Sequence, residues 1–144
     1  MSLFLLLFFV PCFVFGASRQ DINIKSKYLS VMKEENVAEF TEDVFVNGTE
    51  YTLNADKMVV YYDSNRVITR TVMSGNIKLH NSKTNVLADD GVFYVKDNLV
   101  VLRGNVEVKE NGITVDADRF EYNTFTKESV IRAKGKSRVK IMLE

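Results

Sequence analysis

The chain has 144 residues, with 19 basic and 19 acidic side chains and a formal net charge of zero. This length suits a single domain, and the balanced charge gives no bulk attraction to nucleic acid. Apolar residues make up 46% of the chain, which excludes a disordered polypeptide. We therefore expect one folded domain that does not bind nucleic acid.

The first eighteen residues, MSLFLLLFFVPCFVFGAS, have the character of an export signal. The apolar run from Leu3 to Phe15 suits a signal-peptide core and is shorter than the about 20 residues of a membrane span. Small residues follow it, which suits cleavage after Ser18. We predict a signal peptide over 1–18 and a mature domain over 19–144. Retention as an anchor stays open, because no basic residue precedes the apolar run.

The only cysteine, Cys12, lies within this leader. The residues before it, Phe9-Val10-Pro11, lack the small side chains of a lipoprotein signal. The exported domain would therefore reach an oxidising compartment without being able to form a disulfide. Its stability has to come from sheet pairing and core burial.

Beyond the leader, apolar and polar residues alternate in short segments, and this alternation indicates β-strands with one apolar face. Turn residues separate the segments, and the clearest turn is Asn111-Gly112, which suits a tight hairpin. The apolar spacing of a helix is not sustained anywhere in the mature chain. We predict an all-β fold of about a dozen short antiparallel strands. The segments are 24–31, 37–40, 44–46, 51–55, 57–62, 66–74, 75–80, 86–123 and 128–141.

A phrase of sequence repeats along these strands. An Ala-Asp pair is followed by a glycine in three copies, at Ala55-Asp56 and Gly75, Ala88-Asp89 and Gly104, and Ala117-Asp118 and Gly135. The glycines are 29 and 31 residues apart. A degenerate copy lies upstream, where Ser26-Lys27 replaces the Ala-Asp pair and Glu42-Asp43 replaces Gly-Asn. A period near 30 residues indicates supersecondary units that share one core.

The polar residues do not form a recognisable catalytic or metal site. Asp56, Asp89 and Asp118 occupy equivalent places in successive repeats, which indicates a structural role at a strand end or turn. His80 alternates outward, and Asn47-Gly48-Thr49 is interpreted as a turn rather than a glycosylation site. We therefore expect a protein that is not an enzyme, with no catalytic residues, no metal and no cofactor.

The alternation gives a continuous stripe of inward-facing apolar side chains. Two interpretations stay open, an ordinary closed core and an open trough that admits an apolar ligand. The candidate trough residues are Val44, Val46, Leu53, Met58, Val60, Ile77, Leu79, Val100, Leu102, Val106, Val108, Ile113, Val115, Phe120, Tyr122, Ile131 and Val139, and Ile141 continues the stripe.

A cationic row is predicted near the carboxyl terminus, because alternate residues there carry positive charge. Its members are Arg132, Lys134, Lys136, Arg138 and Lys140. Such a row protects a sheet edge from aggregation. The alternative is contact with lipid phosphates or with an acidic partner, since fixed cations hold phosphate well.

The repeated phrase resembles the OstA family, which includes the lipopolysaccharide-transport proteins LptA and LptC and the amino-terminal domain of LptD. The matching pieces span nearly all of the mature chain. They are Ala38-Glu39-Phe40 with Asp43-Val44, Asn54-Ala55-Asp56-Lys57-Met58, Gly75-Asn76-Ile77, Ala88-Asp89, Leu102-Arg103-Gly104-Asn105-Val106, and Ile113-Thr114-Val115-Asp116-Ala117-Asp118.

This resemblance implies a twisted β-jellyroll whose two sheets splay like a V, with acyl chains lying between the sheets. It implies a periplasmic carrier of lipopolysaccharide or a similar acylated glycolipid. Head-to-tail stacking through edge strands would link copies to inner- and outer-membrane OstA-like proteins. Two alternatives stay open, an anchored LptC-like component of the same system and a β-solenoid scaffold that polymerises.

Overall fold

The computed structural model describes residues 23–48, 51–133 and 138–143, so the predicted signal peptide lies outside the described residues. Within these ranges the chain forms ten β-strands. Across the same ranges, no helix is both long and apolar enough to span a membrane. The strands are β1 Asn23–Lys25, β2 Tyr28–Met32, β3 Val37–Asn47, β4 Tyr51–Tyr62, β5 Ile68–Asn81, β6 Thr84–Tyr94, β7 Leu99–Glu110, β8 Ile113–Asn123, β9 Ser129–Arg132 and β10 Lys140–Leu143.

The strands from β3 to β8 form an antiparallel meander in which each strand pairs with the next along the chain. At one end, β1 pairs with the last residues of β3, whereas β2 pairs with its first residues. At the other end, β10 pairs with the first residues of β8 and β9 with its last residues. The sheet therefore divides along its length into a β1/β10 half-sheet and a β2/β9 half-sheet.

A line of register shifts separates the two half-sheets. Every pairing from β3–β4 to β7–β8 contains one, for example between Ser74 and Ile77 and between Arg103 and Val106. A bulge bends its strand and increases the local twist. Buried residues of both half-sheets belong to one core cluster. The sheet is thus folded over along this corner, which confirms the predicted all-β roll.

Several strands are longer than predicted, because six of them cross the corner without ending. These six are 11 to 14 residues long. Gly75 was predicted to begin a new strand, but it lies inside β5, and Gly104 likewise lies inside β7. Both glycines sit at bulges, where the chain bends and pairing with the neighbouring strand resumes beyond them.

The residues of the repeated phrase form the contacts that hold this corner. Gly75 and Asn76 both have positive φ, at 79° and 49°, a conformation that glycine and asparagine tolerate. The Asn76 side chain donates from Nδ2 to Oδ2 of Asp56 over 2.8 Å. A Cβ atom on Gly75 would lie 2.4 Å from that same Oδ2 atom. Glycine is therefore required at position 75, where the Asp56 carboxylate lies against the backbone of the bulge.

The next copy of the phrase repeats this geometry. Gly104 and Asn105 have φ angles of 81° and 46°, and Asn105 Nδ2 donates to Asp89 Oδ2 over 2.8 Å. A Cβ on Gly104 would lie 2.6 Å from Asp89 Oδ2. The predicted structural role of these two aspartates follows from this contact, which we call the corner clamp. The third glycine, Gly135, lies outside the described residues.

The degenerate upstream copy builds its clamp from an ion pair. Glu42 and Asp43 take the positive φ angles, 66° and 50°, in place of glycine and asparagine. Lys27 Nζ lies 3.1 Å from Asp43 Oδ2. The hydrogen bond to Asp43 and the charges of Asp43 and Glu42 raise the pKa of Lys27 above its ordinary value. In this copy the side chain at the bulge, Asp43, is the acceptor and Lys27 is the donor, which is the reverse of the Asn76–Asp56 clamp. The contact lies at the same bend.

The alanines of the phrase set the packing beside the corner. In the β1/β10 half-sheet, Val44 pairs with Ala55, Ile77 with Ala88 and Val106 with Ala117. The row beside the corner in the other half-sheet carries larger side chains, Phe40, Met58, Met73, Leu102 and Phe120, which join the same core. Small residues on one side leave room for large ones on the other, as close packing requires.

Side-chain acceptors and positive-φ residues build the hairpin turns. Asn111 and Gly112 have φ angles of 51° and 76° between β7 and β8, which confirms the predicted tight turn. Asn81 Oδ1 accepts the backbone N–H groups of Lys83 and Thr84 at 2.9 and 2.7 Å. These short connections fix the register of the neighbouring strands.

Candidate functional site

Most of the predicted trough residues face one shared interior. Ten of them are buried in the core cluster. Five others are partly buried and pack against those ten, namely Leu79, Val100, Val115, Tyr122 and Ile131. Ile113 and Val139 are not members of this core cluster. The buried members are Val44, Val46, Leu53, Met58, Val60, Ile77, Leu102, Val106, Val108 and Phe120.

The centre of this interior is filled by the protein's own side chains. Val44 and Ile77 are each 1% exposed and Leu102 is fully buried. Gly91 lies opposite Leu102 on the neighbouring strand, and a Cβ there would meet Leu102 Cδ2 at 2.7 Å. These residues therefore pack closely against one another in the centre of the roll.

Among the described residues, the interior is uncovered at the β10 end. Ile141 pairs with Val115 and Leu143 with Ile113, so all four side chains share the core-facing side of the sheet. Val115 packs on the core, but Ile113, Ile141 and Leu143 are 41%, 62% and 77% exposed. Exposed apolar side chains grouped on one face mark an interaction surface. We call these three residues the uncovered end.

The opposite end is covered more completely. Ile24 on β1 pairs with Val46, and Leu29 on β2 pairs with Phe40. Both side chains are partly buried and pack against the core cluster. In the described structure, β1 and β10 are the terminal strands of the sheet order. Each such edge presents unpaired backbone groups that a further strand can pair with.

A groove of about 520 Å³ lies on the other side of the β1/β10 half-sheet. Its lining includes Lys78, His80, Asn85, Glu107 and Lys109. His80 is exposed and its ring nitrogen contacts the side-chain oxygen of Asn85 across the β5–β6 pair. Leu79 and Val86 also line this groove, and they belong to the core cluster or pack against it.

The described members of the predicted cationic row lie in two different half-sheets. Arg132 on β9 pairs with Arg119, whereas Lys140 on β10 pairs with Asp116. Arg138 is exposed just before β10. Lys134 and Lys136 lie outside the described residues. Sequence parity along one strand did not identify Arg103 and Arg119, which the register places beside Arg132.

Side chains that could bind a metal are not grouped in the described ranges. Over those ranges, no three His, Cys, Asp or Glu side chains are arranged to hold a metal ion. The carboxylates of Asp56 and Asp89 are engaged in the corner clamps. What this geometry offers is an apolar interior with one exposed end.

The sequence and the fold were compared with known proteins. Residues 23–128 match the profile of a family described as LptA/(LptD N-terminal domain) LPS transport protein. No curated protein sequence matches at a significant level. A similar solved structure is LptH, described as the LptA-homologous periplasmic component of the lipopolysaccharide transport device from Pseudomonas aeruginosa. Its TM-score is 0.72 at 18% identity, over 85% of this chain and 94% of that chain.

Proposed function

Because the chain belongs to the family of LptA and LptD amino-terminal lipopolysaccharide transport proteins, we propose that it carries lipopolysaccharide or a similar acylated glycolipid in the periplasm. The acyl chains would lie against the apolar interior, and the polar headgroup would stay outside. In this role the protein is a non-enzymatic carrier.

The physical requirement for such a carrier is large. Each methylene group removed from water contributes about 0.8 kcal/mol, so a long acyl chain does not leave a membrane without an apolar host. The observation that carries the proposal is the uncovered end, where Ile113, Ile141 and Leu143 extend the core face into solvent. An acyl chain lying there would bury these side chains and continue the core. Deeper entry would require the two half-sheets to part.

The strand edges support a bridge between membranes. Edge strands accept a further strand through backbone hydrogen bonds. We propose that copies associate head to tail through β1 and β10, which would align their interiors, and that inner- and outer-membrane OstA-like proteins pair with the terminal copies. Net movement of lipid along the bridge would need an energy source in another component.

Two alternatives can be distinguished from this proposal. An anchored LptC-like component would retain the leader, so mass spectrometry of the mature amino terminus distinguishes it from an exported carrier. The antiparallel meander from β3 to β8 favours the carrier over a β-solenoid scaffold, and lipid-free filaments of the purified protein would support the scaffold instead.

Native mass spectrometry of the purified, delipidated protein tests the proposal. We expect a complex with intact lipopolysaccharide and none with chemically deacylated lipopolysaccharide, because the acyl chains supply the apolar area. Equal binding of both forms would contradict an acyl-chain site. The double variant Ile141→Asp, Leu143→Asp should bind less intact lipid than Met142→Asp, whose side chain lies on the other face of β10.

A further inference from the structure

Three arginines lie side by side on the face opposite the core. Arg103 on β7 pairs with Arg119 on β8, and Arg119 pairs with Arg132 on β9. Directly paired residues share a face of the sheet, with Cβ atoms about 4.5–5.5 Å apart. These three side chains, which we call the arginine row, therefore project together from three neighbouring strands.

The charge of this row is only partly compensated. Arg119 Nε donates to Glu121 Oε1 over 2.7 Å. Arg103 and Arg132 are exposed, and neither has an ion pair in the described structure, although Asp90 pairs with Arg103 in the register. Like charges directly opposite one another destabilise a sheet. An anion bound across the row would remove that repulsion.

We propose that the arginine row binds a phosphate ester. Guanidinium groups present parallel N–H donors that match the oxygens of phosphate, and Arg forms bidentate contacts that Lys cannot. The Nε atom of Arg119 is committed to Glu121, which holds the middle side chain in place. Three guanidinium groups in adjacent positions can surround a single tetrahedral anion, whereas separated surface arginines cannot.

The neighbouring row of the same face favours a phosphate carried on a lipid. Val59, Val72, Val92 and Val101 pair in succession across β4 to β7. The first three are half-buried, Val101 beside Arg103 is buried, and the row continues through Glu121 to Val130, which is 43% exposed next to Arg132 on β9. A lipid headgroup phosphate can bind the arginines while the lipid body contacts valine. This site lies on the opposite side of the sheet from the apolar interior, so it would stand even if the interior bound no acyl chain.

Two probes distinguish the sources of phosphate. Isothermal titration with inorganic pyrophosphate reports on soluble phosphate, and sedimentation with phosphatidylcholine vesicles, with and without phosphatidylglycerol, reports on headgroup phosphate. For the double variant Arg103→Gln, Arg132→Gln we expect roughly tenfold weaker binding to whichever probe the protein binds, as fits the loss of charge-assisted hydrogen bonds. The control is Arg70→Gln, because Arg70 lies on the same face but over the Tyr61 ring at 4.3 Å.

Each outcome has a defined meaning. Binding only to vesicles that contain phosphatidylglycerol, lost in the double variant, supports a lipid headgroup as ligand, and binding to pyrophosphate, lost in the same variant, supports a soluble phosphate compound. Binding that is absent in the unmodified protein, or equal in the double variant and the control, overturns the proposal.

Thermal unfolding gives a second readout that a purely structural role would not produce. In phosphate-free buffer the double variant should melt at a temperature equal to or above that of the unmodified protein, because repulsion is relieved. Pyrophosphate should raise the melting temperature of the unmodified protein only, by mass action. A lower melting temperature of the variant in the absence of phosphate, together with an equal pyrophosphate effect, would show that the arginines serve packing instead.

Discussion

At the scale of single residues, the corner clamp explains why one phrase recurs in this sequence. The alanine faces the core, the aspartate beside it faces outward, and the glycine and asparagine that follow on the next strand supply the positive φ angles of the bulge. The sequence repeat indicated a structural role for these aspartates. Their partners could not be predicted, since the contact joins Asp89 to Asn105 across a bulged register.

Substituting Asp89 with alanine tests the clamp. We expect a loss of about 1 kcal/mol in the free energy of unfolding, because an exposed hydrogen bond to a charged group is removed. Urea denaturation measures the change. The control is Asp90→Ala, since Asp90 is equally exposed and adjacent but forms no clamp. Equal losses for both variants would argue against a specific role for Asp89.

Alkaline pH should weaken the fold through Tyr51. Burial raises the pKa of Tyr51 above its ordinary value of 10.0, so the folded state favours the neutral phenol. This contribution is fully present below pH 10 and is lost as the pH rises through the raised pKa. We expect Tyr51→Phe to lose less stability than the unmodified protein between neutral and alkaline pH, measured by urea denaturation. Tyr28→Phe is the control, because Tyr28 is 61% exposed. If Tyr28→Phe reduced the loss of stability at alkaline pH as much as Tyr51→Phe does, the burial effect would be contradicted.

At the scale of strands, alternation and turn residues predicted the antiparallel order but not the strand lengths. Asn111-Gly112 was correctly predicted as a hairpin because two positive-φ residues join two strands there. Gly75-Asn76 has similar angles but bends one strand, β5, and does not end it. The same two residue types occur in both places, in opposite order. Pairing with β4 and β6 on either side of the bulge decides the outcome, and only the folded sheet shows that pairing.

The close contact between β6 and β7 inside the core gives an element-scale prediction. Gly91→Ala should destabilise the protein by about 1–3 kcal/mol, because the new methyl group overlaps Leu102 in a fully packed region. Leu102→Ala alone should cost about 2–5 kcal/mol through the cavity that it leaves. In the double variant the methyl group enters that cavity, so the combined loss should be smaller than the sum. Additive losses in urea denaturation would mean that the two residues do not compete for the same space.

At the scale of the whole molecule, the inward stripe was predicted well in its centre and less well at its ends. Alternation correctly grouped Ile77, Leu102 and Val106 in the core. It could not show that Ile113 is exposed, because that depends on β10 being the last strand in the described sheet. The choice between a closed core and an open trough also depended on the folded ends. In the described structure the centre of the stripe is buried, and Ile113, Ile141 and Leu143 at one end are exposed.

Self-association should depend on that end. The double variant Ile141→Lys, Leu143→Lys places two charges on the apolar side of an edge strand, which is how natural sheets block edge-to-edge pairing. We expect sedimentation velocity to show fewer head-to-tail oligomers than for the unmodified protein. Met142→Lys adds a charge to the same strand but on the opposite face, so it separates loss of the apolar contact from general repulsion. Unchanged oligomers in the double variant would rule out β10 as the contact strand.

Site-specific photo-crosslinking on β10 tests most directly whether the core face holds an acyl chain. A photoreactive phenylalanine analogue would replace Ile141, which shares the core face, or Met142, which lies on the opposite face and is also exposed. After irradiation with lipopolysaccharide, we expect crosslinks from position 141, few from position 142, and none from either position with deacylated lipopolysaccharide. Equal crosslinking from both positions, or crosslinking that survives deacylation, would contradict an acyl chain on the uncovered end.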